Sequence, residues 1–110
     1  DGPKGRLGFA PRLTPENFKC AFTTAEGWGS FAQKVEGRSA KFEVELRWGK
    51  LTLRSLRLTL PAAAKPGEAK VRLGWKTVRA KVTEKDQRVE LGFSETFEMK
   101  AGQVLEVVFA

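Results

Sequence analysis

The stretch SAKFEVELRWGKLTLRSLRLTL, residues 39–60, decides the fold class of this chain. From Ala40 to Trp48 apolar residues alternate with charged ones, which is the period-two pattern of a strand with one buried face. Weaker alternating runs occupy residues 18–22, 31–35, 71–73, 78–82, 89–93, 97–99 and 105–109. No segment has the spacing of an amphipathic helix. The pattern predicts an all-β fold, an antiparallel β-sandwich of about eight or nine short strands.

Two glycine-containing dipeptides predict two-residue hairpin turns. Gly49-Lys50 follows the strand that ends at Trp48, and glycine supplies the positive φ that a type II′ turn needs. Gly74-Trp75 is the second candidate. After the first turn the apolar residues change parity near Arg54-Ser55, so we expect a β-bulge there that brings Leu58 opposite Phe42.

The length of 110 residues predicts a single domain with one core. Residues 1–10 are rich in glycine, proline and charge, as linkers are, and residues 11–110 form the predicted β-sandwich domain. Because the chain begins with Asp1, we expect it to be a piece of a longer protein. The single cysteine and the lack of a signal-peptide pattern favour a cytoplasmic location. No apolar run is long enough for a membrane span, so no membrane partner is expected.

The positive charge is concentrated in the middle third of the chain. The net charge is +7, with 20 Lys and Arg against 13 Asp and Glu. Six of the basic residues in this region could line one face of a sheet: Arg54, Arg57, Lys70, Arg72, Arg79 and Lys81. Such a face would dock an acidic neighbouring domain. It could also bind nucleic acid, but the sequence has no recognition helix and no aromatic pair interleaved with the basic residues, so nucleic acid is the less favoured partner.

The residue types needed for catalysis are scarce. The chain has no His and a single Cys, and its glutamates alternate with Lys and Arg at strand positions that face water. Cys20 lies between Phe18 and Phe22 in the pattern and is interpreted as a small core residue. We therefore predict no catalytic residue, no metal site and no cofactor.

The three tryptophans are the candidates for ligand binding, because flat aromatic faces stack on sugar rings and on bases. Trp75 lies at a predicted hairpin tip and is expected to be exposed. Trp28 lies between two glycines and either binds a ligand or folds back on the core. Trp48 is in phase with the apolar residues before it and is predicted to be buried. Trp28 and Trp75 are thus the predicted carbohydrate-binding residues.

The segment PRLTPENF, residues 11–18, followed by AFTTAEGWGSFAQ, residues 21–33, resembles a known family. It is similar to the segment after the catalytic barrel in bacterial glycoside hydrolases of the non-lysosomal glucosylceramidase (bile-acid β-glucosidase) type. The later segments FEVELRWG and KAGQVLEV resemble accessory β-domains of carbohydrate-active enzymes. The resemblance implies a C-terminal accessory β-domain that is not an enzyme by itself, since the family's catalytic carboxylates lie in the barrel.

Three functions follow from these observations. The first is a non-catalytic module of a larger carbohydrate-active enzyme that packs on, or positions, the catalytic domain of the same chain. The second is a carbohydrate-binding module that uses exposed tryptophans. The third is a basic nucleic-acid-binding β-domain. A binding module should expose aromatic residues beside hydrogen-bonding side chains, whereas a docking module should expose a contiguous apolar or basic patch.

Overall fold

The computed structural model describes residues 6–9, 17–24, 26–60, 69–86 and 88–109. Its strands are β1 (Arg6–Phe9), β2 (Asn17–Thr23), β3 (Gly27–Glu36), β4 (Ser39–Thr59), β5 (Ala69–Leu73), β6 (Lys76–Thr77), β7 (Ala80–Lys85), β8 (Arg88–Lys100) and β9 (Val104–Phe109). The predicted all-β antiparallel fold is confirmed. In these ranges no helix is long and apolar enough to span a bilayer. The predicted loop at 61–67, the segment 11–16 and the side chain of Cys20 lie outside what is described.

The sheet curls into a half-barrel because one strand belongs to both of its parts. The first part has the order β2-β3-β4-β9-β5-β6, with β4 contributing residues 39–49. The second part pairs the rest of β4 with β8 on one side and β1 on the other, and β7 pairs with β8. All of these pairings are antiparallel except that of β1 with β4, which is parallel.

The predicted hairpin at Gly49-Lys50 is wrong, because β4 runs through it. A strand of 21 residues would span about 70 Å if straight, yet the longest dimension of the molecule is 34 Å. The strand therefore bends, and Gly49 with a φ of 80° is one place where it does so. Phe42 accordingly pairs with Val107 and not with Leu58.

The predicted change of parity near Arg54-Ser55 is confirmed. The pairing of β4 with β8 shifts register between Leu53 and Ser55. Leu53 is buried before the shift, and Ser55 and Leu56 are buried in succession after it, so the apolar residues return to the inner face. The second predicted hairpin is also confirmed, since β5 and β6 pair on either side of Gly74-Trp75.

Both parts of the sheet contribute to one core. Phe42 is fully buried, its ring lying 6.1 Å from that of Phe31 and 5.9 Å from that of Phe109. Leu56, Leu91 and Met99 close the core from the second part, and the remaining buried apolar residues are Ala40, Val44, Leu46, Leu51, Leu53, Leu58, Leu60, Val71, Val89, Leu105 and Val107. Strand β1 shows that residues 6–9 of the linker-like segment join the sheet.

Candidate functional site

A bulge in β4 brings two tryptophans together on the outer surface of the sheet. Trp28 pairs with Trp48, but the next pair is Gly29 with Leu46, so Arg47 is an extra residue on β4. The extra residue reverses the alternation: Leu46 is buried and Trp48 is 63% exposed. The prediction that Trp48 belongs to the core is therefore wrong, since it assumed an uninterrupted strand. Trp28 is 46% exposed and does not fold back as a lid on the core.

Three glycines allow the two strands to approach closely enough for this bulge. A Cβ atom on Gly29 would overlap the carbonyl oxygen of Glu45, and one on Gly27 would overlap that of Trp48. A Cβ atom on Gly49 would overlap the carbonyl oxygen of Glu26. The EGWG motif is thus explained by packing, because only glycine fits where the β3 backbone meets the bulged part of β4.

The turn between β2 and β3 fixes the start of β3. The Thr24 backbone N–H donates to the Gly27 carbonyl over 2.8 Å. The Thr24 hydroxyl oxygen accepts hydrogen bonds from the N–H groups of Glu26 and Gly27, at 3.3 and 3.1 Å. The Lys50 N–H donates to the Glu26 carbonyl over 3.3 Å and so joins this turn to β4. Trp28 is held on a backbone with bonds on both sides, which limits its movement.

Trp75 lies at the same end of the sheet. The Gly74 N–H donates to the Val104 carbonyl over 3.2 Å, and Val104 is the partner of Glu45 on β4. Strand β9 lies between β4 and β5, so β4 and β5 are two strand spacings apart, about 10 Å. Trp75 is 91% exposed at the hairpin tip, as predicted. We call the surface formed by Trp28, Trp48 and Trp75 the tryptophan end.

Polar side chains adjoin the tryptophan end on the outer face of the sheet. Ser30 pairs with Glu45 two residues along β3 from Trp28, just beyond the Gly29–Leu46 pair. The Arg47 guanidinium lies 3.4 Å from the Glu45 carboxylate. The tryptophans are therefore beside a hydroxyl, a carboxylate and a guanidinium, which together supply hydrogen-bond donors and acceptors.

Farther along this face, Glu106 connects two basic residues. Its carboxylate lies 3.1 Å from the Lys41 ammonium and 3.3 Å from the Arg72 guanidinium. The hydrogen bond from Lys41, with a smaller contribution from Arg72, lowers the pKa of the Glu106 carboxyl, and partial burial opposes this shift. The same hydrogen bond raises the pKa of Lys41. These charges compensate one another, so this part of the face is not a basic surface.

The structure does not bring the six predicted docking residues onto one face. Arg54 and Arg57 lie on β4 and Lys81 on β7, in the second part of the sheet. Lys70 and Arg72 lie on β5 in the first part, and Arg79 lies between β6 and β7. All six are exposed. The continuous positive face expected for nucleic acid is thus divided between two parts of the sheet.

Other kinds of site have little support in the described residues. No group of three or more Cys, Asp or Glu side chains there could hold a metal ion. An open depression at the β7–β8 turn is lined by Thr59, Lys85, Asp86 and Arg88. It offers charged groups but no aromatic surface, so it does not resemble the apolar pockets that bind small molecules.

Trp48 is the site residue that sequence analysis missed. A one-residue bulge has no reliable local signature, because it depends on the partner strand. One signal was nevertheless present: each tryptophan adjoins a glycine, as Trp28-Gly29, Trp48-Gly49 and Gly74-Trp75. Comparison with known proteins gives no further assignment, since no family model, curated protein or solved structure matches the chain.

Proposed function

We propose that this chain is a non-catalytic accessory module that binds carbohydrate at the tryptophan end. The observation that carries the proposal is the outward pairing of Trp28 with Trp48, which are 46% and 63% exposed, at the end where Trp75 is 91% exposed. Large apolar side chains grouped on a surface indicate a binding site, because leaving them in water forgoes the free energy of their burial.

The chemistry around the tryptophans suits a sugar. Indole faces stack on the C–H faces of pyranose rings, while sugar hydroxyls need both donors and acceptors at the edge of the ring. Ser30, Glu45 and Arg47 provide these groups beside the tryptophan pair. Strand backbone and close glycine packing hold the pair, so little conformational entropy is lost when a ligand binds.

The module is proposed to belong to a larger carbohydrate-active enzyme, as the resemblance implies. In such a protein the second part of the sheet would face the catalytic domain. Arg54, Arg57 and Lys81 are exposed there and would pack against an acidic surface of that domain. The two roles use different surfaces, so a module could both dock on its enzyme and bind a glycan.

Titration of the isolated chain with soluble polysaccharides, followed by tryptophan fluorescence, tests the carbohydrate proposal. We expect saturable shifts, and a loss of affinity of about tenfold for Trp48→Ala or Trp28→Ala, equivalent to about 1.4 kcal/mol. Lys81→Ala, in the second part of the sheet, is the matched control and should bind normally. A folded chain that binds no glycan, or single tryptophan variants that bind as well as the parent, would contradict the proposal.

A further inference from the structure

We infer that the ligand of the tryptophan end is an anionic polysaccharide, one that carries carboxylate or sulfate groups. This inference rests on the proposed function and specifies its ligand class. The described residues that form this end lie at 24 and 26–29, at 47–50, at 74–76 and at 100–103. They contain four cations, Arg47, Lys50, Lys76 and Lys100, and one carboxylate, Glu26. With Glu45 and Glu98, the ion-pair partners of Arg47 and Lys50, the net charge is +1 (4 − 3).

The cations nearest the tryptophan pair are available to a ligand. Arg47 and Lys50 lie on either side of Trp48, and their side chains are 49% and 58% exposed. Their ion-pair partners are Glu45 at 3.4 Å and Glu98 at 4.0 Å. Both carboxylates are exposed as well. Ion pairs between exposed groups contribute little to the stability of the fold, so an anionic ligand can displace the two carboxylates at a small cost in free energy.

One pair of like charges at this end is only partly balanced by a carboxylate of the chain, Glu98, which lies 4.0 Å from the Lys50 ammonium. Lys50 and Lys100 are direct partners on β4 and β8, and both are exposed. Like charges that face each other across strands destabilise a sheet. A carboxylate or sulfate bound between them would remove this repulsion, which gives the ligand a binding contribution beyond stacking.

The distribution of the cations favours a chain over a single ion. Arg47 and Lys50 are on β4, Lys100 ends β8, and Lys76 follows Trp75 at the start of β6. The distance from β4 to the β5–β6 hairpin is about 10 Å. A ligand that contacts both therefore needs charges repeated along its length, alternating with rings that stack on indole.

Single-stranded nucleic acid also combines charges with flat rings, but the carboxylates at this end oppose it. Glu45 adjoins the tryptophan pair and its side chain is 41% exposed. A carboxylate repels either polyanion, but every ring of a glycan carries hydroxyls that can donate hydrogen bonds to it, whereas a deoxyribose–phosphate backbone has no such donors between its phosphates. The observations thus favour an anionic glycan, and nucleic acid becomes an outcome of the test.

The test compares the affinity of the isolated chain for polygalacturonate, alginate and chondroitin sulfate with its affinity for methyl-esterified polygalacturonate, a neutral β-glucan and oligothymidylate. We expect at least one anionic glycan to bind about tenfold tighter than every neutral polymer at low salt. The preference should shrink as salt screens the charges. Lys50→Gln/Lys76→Gln should abolish this preference but retain stacking, whereas the control Lys81→Gln/Lys85→Gln should leave it unchanged.

The other outcomes separate the two proposals. Equal affinity for methyl-esterified and free polygalacturonate, with neutral β-glucan binding just as well, overturns the anionic ligand and leaves carbohydrate binding in place. Binding of oligothymidylate alone overturns both in favour of nucleic acid. Binding of no polymer by the folded chain also overturns both.

Discussion

Replacing Gly49 by alanine should destabilise the fold far more than the same change at Gly37. Both residues have positive φ, 80° and 60°, so both variants carry the strain of an alanine in the left-handed region, about 1–2 kcal/mol. At Gly49 the new Cβ would also overlap the Glu26 carbonyl oxygen and lie 2.8 Å from the Gly27 Cα, whereas at Gly37 no atom lies within 4 Å. Overpacking of this kind costs about 1–3 kcal/mol.

The reduced entropy of the unfolded chain returns about 0.4–1 kcal/mol in both variants. The net loss is therefore about 0–1.6 kcal/mol for Gly37→Ala and about 1–4.6 kcal/mol for Gly49→Ala, a difference of about 1–3 kcal/mol from overpacking alone. Urea unfolding followed by circular dichroism measures both variants. With m-values of about 1–3 kcal/mol/M, the difference of about 1–3 kcal/mol corresponds to midpoints that differ by about 0.3–3 M. Equal midpoints would refute the close approach of β3 to a continuous β4, because Gly49 at an open hairpin tip would be as unhindered as Gly37.

Three further predictions concern the core, the site and the outer charges. Phe42→Ala should lower the free energy of unfolding by about 3–5 kcal/mol, since the ring is fully buried between two others. Trp48→Ala should change it by no more than about 0.5 kcal/mol in the same urea assay, because the indole is 63% exposed; a loss as large as that of Phe42→Ala would mean that Trp48 is a core residue after all. Because Lys41 lowers the pKa of Glu106, that pair stabilises the fold fully above the unfolded-state pKa of about 4.3, and the effect disappears as the pH falls through the lower folded-state pKa. Glu106→Gln should therefore lose less stability than the parent between about pH 5 and 3, by up to about 1 kcal/mol.

The second hairpin shows where local sequence was sufficient. Gly74-Trp75 lies between short strands whose residues pair across the turn, so its geometry depends on the glycine and on immediate neighbours. The exposure of Trp75 follows directly, because a side chain at a hairpin tip has no strand beside it. The parity change near Ser55 was also visible in the sequence, since a buried face must keep its apolar residues in register.

Gly49-Lys50 carries the same kind of local signal and has the opposite outcome. Glycine with positive φ fits a hairpin and a bend equally well, and the choice depends on which strands lie alongside. Here β3 and β9 pair with one half of the strand, and β8 and β1 pair with the other, so the chain continues and bends. These partners are up to 69 residues away in sequence (109 − 40), and no local pattern specifies them.

By itself the sequence determined that the chain is all-β, where its apolar faces lie, and that it has few groups for catalysis, because these follow from residue type and spacing. Only the tertiary structure decided how the strands are joined and which tryptophans meet. Trp48 faces outward because Arg47 is a bulged residue with no partner on β3. The bulge is defined only when β3 and β4 pair with each other. The candidate site is therefore a property of register, which depends on pairing between distant segments.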